Sequence, residues 1–379
     1  VRVFADGQAL QSSVTVERGI GRYVTEIARA IEHGYPDAIS SWIMRPELPL
    51  PTHLPELVWS GRVALSDDPD LPAPDIWHVM SPFESLHEDV GAVWPRWARG
   101  PRTKLVTTLF DLIPLVFPEQ YLGTPIARSR YQQRLQLIEH SDRVLTISEA
   151  TAADAVRLLG ISARRIDVVG SGVSEIFTPS ESAGSDVTVA PPVIAGLRDG
   201  YVMYTGGIDF RKNLDNLLVA YSRLGDPLRR EHQLVIVCRM LESERQHLEL
   251  RAEHLGIATD VLLAGYVPDD VLPSLYRGTH LFVFPSLYEG FGLPVVEAAA
   301  SGAPVIVGAN SSLLELVGDP RAHFDASDPE SIASRLSAVL TDDALRAALR
   351  TTTDVTRHRW PLVAERTVAA YRAVQGPHD

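Results

Sequence analysis

Short apolar runs alternate along the chain with segments whose apolar residues recur every three or four positions. In the first half the runs fall at residues 39–44, 75–80, 105–110, 143–147 and 166–169, and the opening Val-Arg-Val-Phe-Ala-Asp alternates like a strand. The strongest helical period follows Gly21, where Tyr23, Val24, Ile27, Ala28 and Ile31 share one face. Strands separated by helices predict a parallel sheet with covering helices. From 172 to 200 the pattern lapses into Ser, Pro, Gly and Ala, which reads as a linker or a long excursion. A second series then runs through 201–205, 234–238, 261–264, 281–284 and 305–307, and a last amphipathic helix covers 360–374. The expected fold is α/β: two doubly wound, Rossmann-like domains at 1–180 and 195–358, facing each other across a cleft. The carboxyl ends of the strands form the default ligand site.

The length of 379 residues suits two domains, each with its own core. Hydrophobic residues at 45% and charged ones at 22% are ordinary globular usage, so neither wholesale disorder nor a coiled coil fits. A formal charge of -13 argues against nucleic acid as a partner, which would select a dominant basic face. Cys238 stands alone, so no internal disulfide forms, and a reducing cytoplasm is the expected setting. No apolar run approaches the roughly 18 residues of a membrane span, and the N-terminus has no signal-peptide core. Of the 35 basic residues only Lys104 and Lys212 are lysine, which makes any lysine conspicuous.

The densest chemistry lies in Phe284-Pro-Ser-Leu-Tyr-Glu-Gly-Phe-Gly-Leu-Pro294 and the helical pattern after it. A buried strand ends, a glycine-bearing loop follows, and Pro294 sits where the first helical turn tolerates a missing N–H. The amides near Gly292 and Leu293 would then form an anion site, suited to a phosphate. Glu289 and Glu297, with seven residues between them, are carboxylates of the kind that accept hydrogen bonds from sugar diols. The plain alternative makes Glu289 a cap and Glu297 a solvated helix residue. Arg211 and Lys212 follow the first strand of the second domain, where adjacent cations suit a diphosphate; otherwise they are a solvated surface pair. Both are expected on a loop or helix start, so their replacement is expected to lower turnover and leave folding intact.

Elsewhere the signals are weaker. Gly19-Ile-Gly21 precedes the first strong helix and by itself marks a turn. His78 ends a buried strand and is expected to be packed and hydrogen-bonded. Asp68-Pro-Asp70 could be read as an Asp-x-Asp metal site, but it lacks a preceding strand and reads better as a solvated loop. No spacing resembles a zinc site. Trp94, Arg96, Trp97, Arg99, Arg102 and Lys104 concentrate cations and indoles, suiting either peripheral contact with a membrane or a connection whose indoles pack inward. Arg128, Arg130 and Arg134 read as an added basic rim or as a wet helix face.

Taken in order, these segments resemble the retaining glycosyltransferases of family four, which have the GT-B fold and a Glu-x7-Glu motif. The resemblance rests on Pro-Ser-x-x-Glu-Gly-Phe-Gly-Leu-Pro followed by Glu-Ala-x-Ala-x-Gly-x-Pro-Val, and on Asp75-Ile-Trp-His78, Leu145-Thr-Ile-Ser-Glu149, Gly170-Ser-Gly-Val173, Gly206-Gly-Ile-Asp-Phe-Arg-Lys-Asn213 and Gly265-Tyr-Val-Pro268. It implies that residues 360–379 cross back to the first domain. It also implies a nucleotide-sugar donor, a hydroxyl acceptor and no cofactor; no metal is expected either, because the helix dipole and side-chain cations already occupy the role a metal would serve. By the same resemblance Arg211 and Lys212 bind the donor diphosphate, Glu289 the donor sugar and Glu297 the ribose, while Gly19 and Gly21 lie beside phosphate and acceptor. The chain departs from many relatives where they carry a histidine: it has Phe110 followed by Asp111. That departure implies either a mannose-type donor, such as GDP-mannose, whose 6-hydroxyl Asp111 satisfies, or a 6-deoxyhexose packed on Phe110; alternatively Phe110 is strand core. A non-catalytic sugar-nucleotide-binding protein and a GT-B epimerase or phosphorylase remain open at this point.

Overall fold

The computed structural model describes residues 1–11, 19–83, 90–179 and 194–375. The chain forms two compact units, Val1–Gly172 with Arg357–Asp379, and Val173–Thr356. In the first unit the strands β1 (Val3–Asp6), β2 (Ser41–Met44), β3 (Val63–Leu65), β4 (Ile76–Val79), β5 (Lys104–Leu109), β6 (Arg143–Thr146) and β7 (Ile166–Val168) form one parallel sheet. Among the described residues its order is β3-β2-β1-β4-β5-β6-β7. The central strands are covered on both faces: every residue of β1 and β4 is buried, Asp6 and His78 included. β3 escaped the apolar-run reading because it is a short edge strand with no buried residue.

The Gly19–Gly34 helix begins at the two glycines, so they form its first turn and not a loop ahead of it. Its buried stripe of Tyr23, Val24, Ile27, Ala28 and Ile31 outweighs the poor helix propensity of glycine. The Trp360–Val374 helix belongs to this unit and packs along the Gly19–Gly34 helix. Gly172 lies under its first turn, where an added Cβ would stand 2.6 Å from the Trp360 ring. His78 is 1% exposed, with Nδ1 2.7 Å from the Tyr371 hydroxyl and Nε2 2.9 Å from Thr108 Oγ1. It is a packed core histidine tying β4 to β5 and to the last helix.

The second unit repeats the plan with β8 (Val202–Thr205), β9 (Leu234–Val237), β10 (Val261–Gly265), β11 (Leu281–Phe284), β12 (Val305–Gly308) and β13 (His323–Phe324). All pairings are parallel and the order is β10-β9-β8-β11-β12-β13. The first and fourth strands of the unit are therefore neighbours, and the chain leaves them in opposite directions across the sheet. Such a reversal opens a crevice at the carboxyl ends. Leu281 pairs with Val202, so Phe284 and Thr205 end level and the loops after them start side by side.

Candidate functional site

Those two loops carry the cations and the first carboxylate. Asp209 caps a single 3-10 turn, Phe210–Lys212, and Asn213 then takes a left-handed conformation at φ 63° before the Leu214–Ser222 helix starts. The turn aims Arg211 and Lys212 at the loop after β11. Arg211 Nη1 donates to Glu289 Oε2 at 2.7 Å and to the Tyr288 carbonyl at 3.2 Å. Lys212 Nζ donates to Glu289 Oε1 at 2.6 Å and lies 5.2 Å from the centre of the Phe284 ring. Each carboxylate oxygen thus receives its own cation. The two loops are also tied through their main chains: Leu287 N–H donates to the Arg211 carbonyl, and Asn213 Nδ2 donates to the carbonyls of Pro285 and Ala326.

This cluster is interior. Glu289 is 6% exposed and Lys212 8%, which overturns the reading of Lys212 as half of a solvated surface pair. Burial by itself would raise the Glu289 carboxyl, but Lys212 and Arg211 together hold it below the ordinary carboxylate range, so it is ionised. Burial pulls the Lys212 ammonium down from its ordinary value, while Glu289 pulls the other way. A charged group at this depth is tolerable only with such partners.

The loop after β11 ends at Gly292, whose φ of 111° lies in a region that side chains disfavour. An added Cβ there would also stand 2.9 Å from a Leu313 methyl. From this turn the Leu293–Ala300 helix begins, with Pro294 in its first turn. Pro294 brings no N–H to this turn and Val295 N–H donates to the Gly292 carbonyl, so the positive end of the helix dipole is presented at Gly292 and Leu293. Glu297 sits inside this helix at 4% exposure, buried and not solvated, and Tyr276 donates its hydroxyl to Glu297 Oε2 at 3.1 Å. Tyr276 and Asn213 had no assigned role at the level of sequence. An asparagine immediately ahead of a helical period was a usable signal for Asn213; Tyr276 gave none.

Of the residues singled out in sequence, Arg211, Lys212 and Glu289 meet directly, and Gly292, Leu293 and Glu297 follow on the same strand-loop-helix unit. Gly19, Gly21 and Asp111 belong to the other unit. There Tyr23, two residues beyond Gly21, packs edge-on against Phe110 with ring centroids 5.0 Å apart. Phe110 is 6% exposed and accepts a hydrogen bond from Thr151 Oγ1 at its carbonyl, which makes it core. Asp111 is half-buried, and its Oδ1 accepts from Ile113 N–H at 3.0 Å.

The remaining candidates resolve by packing. Trp97 donates to the Ser66 carbonyl and meets Trp77 edge-on, and Trp94 lies under the Arg99 guanidinium, so the indoles face inward. Arg96, Arg99 and Arg102 are exposed, while Lys104 pairs with Asp142. Arg134 is 1% exposed and forms no part of a wet basic face. Asp68 and Asp70 lie in an exposed turn in which Asp70 N–H donates to Asp68 Oδ1. Among the described residues no cluster of His, Cys, Asp or Glu could hold a metal ion, and no helix is long and apolar enough to cross a membrane.

Comparison with known proteins agrees with this architecture. Residues 195–354 match the family described as "Glycosyl transferases group 1", and residues 36–172 match "Glycosyl transferase 4-like domain". The serotype-specific mannosyltransferase WbdA of Escherichia coli is 32% identical over 279 residues, covering 73% of this chain and 34% of that protein. The chain thus spans about a third of the length of WbdA. The O-antigen chain mannosyltransferase B of Escherichia coli is 31% identical over 275 residues, covering 71% of this chain and 70% of the relative. Among solved structures, Anabaena Alr3699/HepE in complex with UDP and glucose superimposes with a TM-score of 0.74 at 18% identity, covering 98% and 99% of the two chains. Sucrose-phosphate synthase from Thermosynechococcus elongatus gives 0.73 at 18% identity, with 98% of each chain covered. This chain belongs to the family-four glycosyltransferases and has their GT-B fold.

Proposed function

We infer that the chain is a retaining hexosyltransferase that moves mannose, or a closely related hexose or deoxyhexose, from a nucleotide sugar to a hydroxyl of a growing glycan. The observation that carries the reading is the buried Arg211-Glu289-Lys212 cluster at the reversal point of the second sheet, directly ahead of the Leu293–Ala300 helix start. The mannosyl specificity draws on the two Escherichia coli mannosyltransferases, and GDP-mannose is the favoured donor. The HepE complex with UDP and glucose supports a nucleotide sugar as the donor class.

In this reading Arg211, Lys212 and the amides at Gly292 and Leu293 hold the diphosphate. Glu297 accepts from the ribose hydroxyls, and Glu289 faces the donor sugar. The anomeric carbon–oxygen bond to phosphate breaks as the bond to the acceptor oxygen forms, and the acceptor proton passes to the departing phosphate on the same face. Positive charge then develops on the sugar ring and negative charge on the diphosphate, where fixed cations in a poorly solvated site act most strongly. Asp111, Gly19 and Gly21 serve the donor sugar and acceptor on the first unit. The reaction is placed in the cytoplasm, with Arg96, Arg99 and Arg102 available to an anionic membrane surface.

The test is a panel of GDP-mannose, UDP-glucose, UDP-galactose and GDP-fucose, with mannoside acceptors and with none. Nucleoside diphosphate should be released from GDP-mannose only when acceptor is present, giving an axial product linkage by NMR. Release without acceptor would indicate an epimerase or hydrolase; binding without release would indicate a sensor. Activity should survive chelation, because the side-chain cations already occupy a metal's electrostatic role. Loss on chelation and recovery with magnesium or manganese would overturn that.

A further inference from the structure

Three successive side chains in the loop after β12 are committed to the backbone around Glu289. Asn310 Nδ2 donates to the Ser286 carbonyl at 2.8 Å. Glu289 N–H donates to Ser311 Oγ at 2.9 Å, and that hydroxyl donates in turn to Asn310 Oδ1 at 2.9 Å. Ser312 Oγ, fully buried, lies 3.0 Å from the Glu289 carbonyl and 2.6 Å from that of Phe291. The main chain of Glu289 is therefore gripped on both sides, at N–H by one serine and at C=O by the next.

Ser311 makes its contact from an unfavourable conformation. Its φ is 42°, and it shares the left-handed region with only one other non-glycine residue among those described, Asn213, which ties the cation loop to the Pro285 carbonyl. A serine held left-handed is strained by about 1 to 3 kcal/mol, and strain of this kind persists where surrounding structure over-determines it. Glycine would suit the backbone better but has no hydroxyl for Glu289 N–H. The strain and the hydrogen bond therefore lie on the same residue.

We propose that Ser311 is a positioning residue: its hydroxyl, held by Asn310, fixes the Glu289 backbone so that the carboxylate bridges Arg211 and Lys212 and presents itself to the donor sugar. The proposal rests on the reading of Glu289 given above. It assigns to the β12 loop a role in turnover, exerted through Glu289, since the hydroxyl of Ser311 is engaged with Glu289 N–H and Asn310 Oδ1.

Ser311→Gly separates the two properties, because it removes the hydroxyl while relieving φ. The expected result is an unchanged or higher Tm, an unchanged Kd for GDP, and a kcat on GDP-mannose lowered about tenfold to a hundredfold, the scale of a reacting group displaced by up to about 1 Å. Amide exchange in residues 286–291 should quicken in the same variant. Ser311→Ala keeps the strain and loses the bond, so it should match the kcat of the glycine variant at a lower Tm. A kcat within twofold of the parent in Ser311→Gly, with the fold intact, overturns the proposal, as does a loss of GDP affinity equal to the loss in kcat. Glu289→Gln run beside them tells the two readings apart. If it is impaired while Ser311→Gly is not, only the positioning role falls; if it turns over like the parent, the assignment of Glu289 falls and this proposal with it.

Discussion

Replacing Lys212 should destabilise the fold as well as disarm the site. Its Nζ lies 2.6 Å from Glu289 Oε1, and both residues are below a tenth exposed. At an effective dielectric constant of about 20, unit charges about 3 Å apart attract by roughly 5 kcal/mol, much of it offset by the desolvation of both ions. Taking one partner away leaves the desolvation of the other uncompensated, which typically costs about 3 to 5 kcal/mol. Here Arg211 stays at 2.7 Å and keeps part of the compensation, so Lys212→Met should cost about 2 to 3 kcal/mol.

The same logic predicts that Lys212→Met combined with Glu289→Gln recovers part of that loss, because the buried ammonium and carboxylate are removed together, while Arg211, less deeply buried, keeps Asp209 at 3.3 Å. Urea denaturation of parent, both single variants and the double gives the coupling directly, and it should exceed about 1.5 kcal/mol. Turnover should behave differently. Each single variant should lose about two to three orders of magnitude in kcat, and the double should not regain it, since in the proposed mechanism the diphosphate and the sugar each lose a fixed charge whatever happens to the fold. A coupling below about 0.5 kcal/mol, or a Lys212→Met protein as stable as the parent, would refute the claim that this pair is an interior ion pair. Turnover recovered in the double would refute its separation into a folding role and a chemical one.

Glu297→Ala should weaken GDP binding by roughly tenfold to a hundredfold in calorimetry, the value of hydrogen bonds to a charged group, with kcat at saturating donor changed much less. Burial drives His78 down to a pKa of about 3, so below the ordinary value of 6.5 only the unfolded chain takes up the proton. Stability from this group is therefore full above pH 6.5 and falls by about 1.4 kcal/mol per unit as pH drops toward 3; His78→Gln should flatten that part of the urea-midpoint profile, and an unchanged slope would remove His78 as its source. Gly292→Ala should cost about 1 to 3 kcal/mol and weaken GDP binding, because φ 111° and the nearby Leu313 methyl both resist a Cβ; a stable variant with normal GDP affinity would count against the turn as the anion site.

The parts of this molecule that could be read before folding are those whose cause is local. Strands covered on both faces, such as β4 and β11, show as apolar runs, whereas β3, an edge strand with no buried residue, and β13, two residues long, leave no run to see. Gly19 and Gly21 misled because glycine is a poor helix former, while the stripe that makes the helix stable starts two residues later. Arg211, Lys212, Glu289 and Glu297 were visible as residue types in a familiar order, but not as partners. Which carboxylate neutralises which cation follows from strand order, since β8 and β11 are 75 residues apart and become neighbours only because the second sheet reverses between them. Strand order is a property of the whole sheet and is encoded in no single segment. Once it is given, the level ends of Thr205 and Phe284 leave the two loops no choice but to meet, and two adjacent cations facing one buried glutamate must pair. Ser311 marks the limit of this reasoning, because a left-handed serine has the same letter as any other, and only the backbone it is forced to adopt reveals that it holds Glu289.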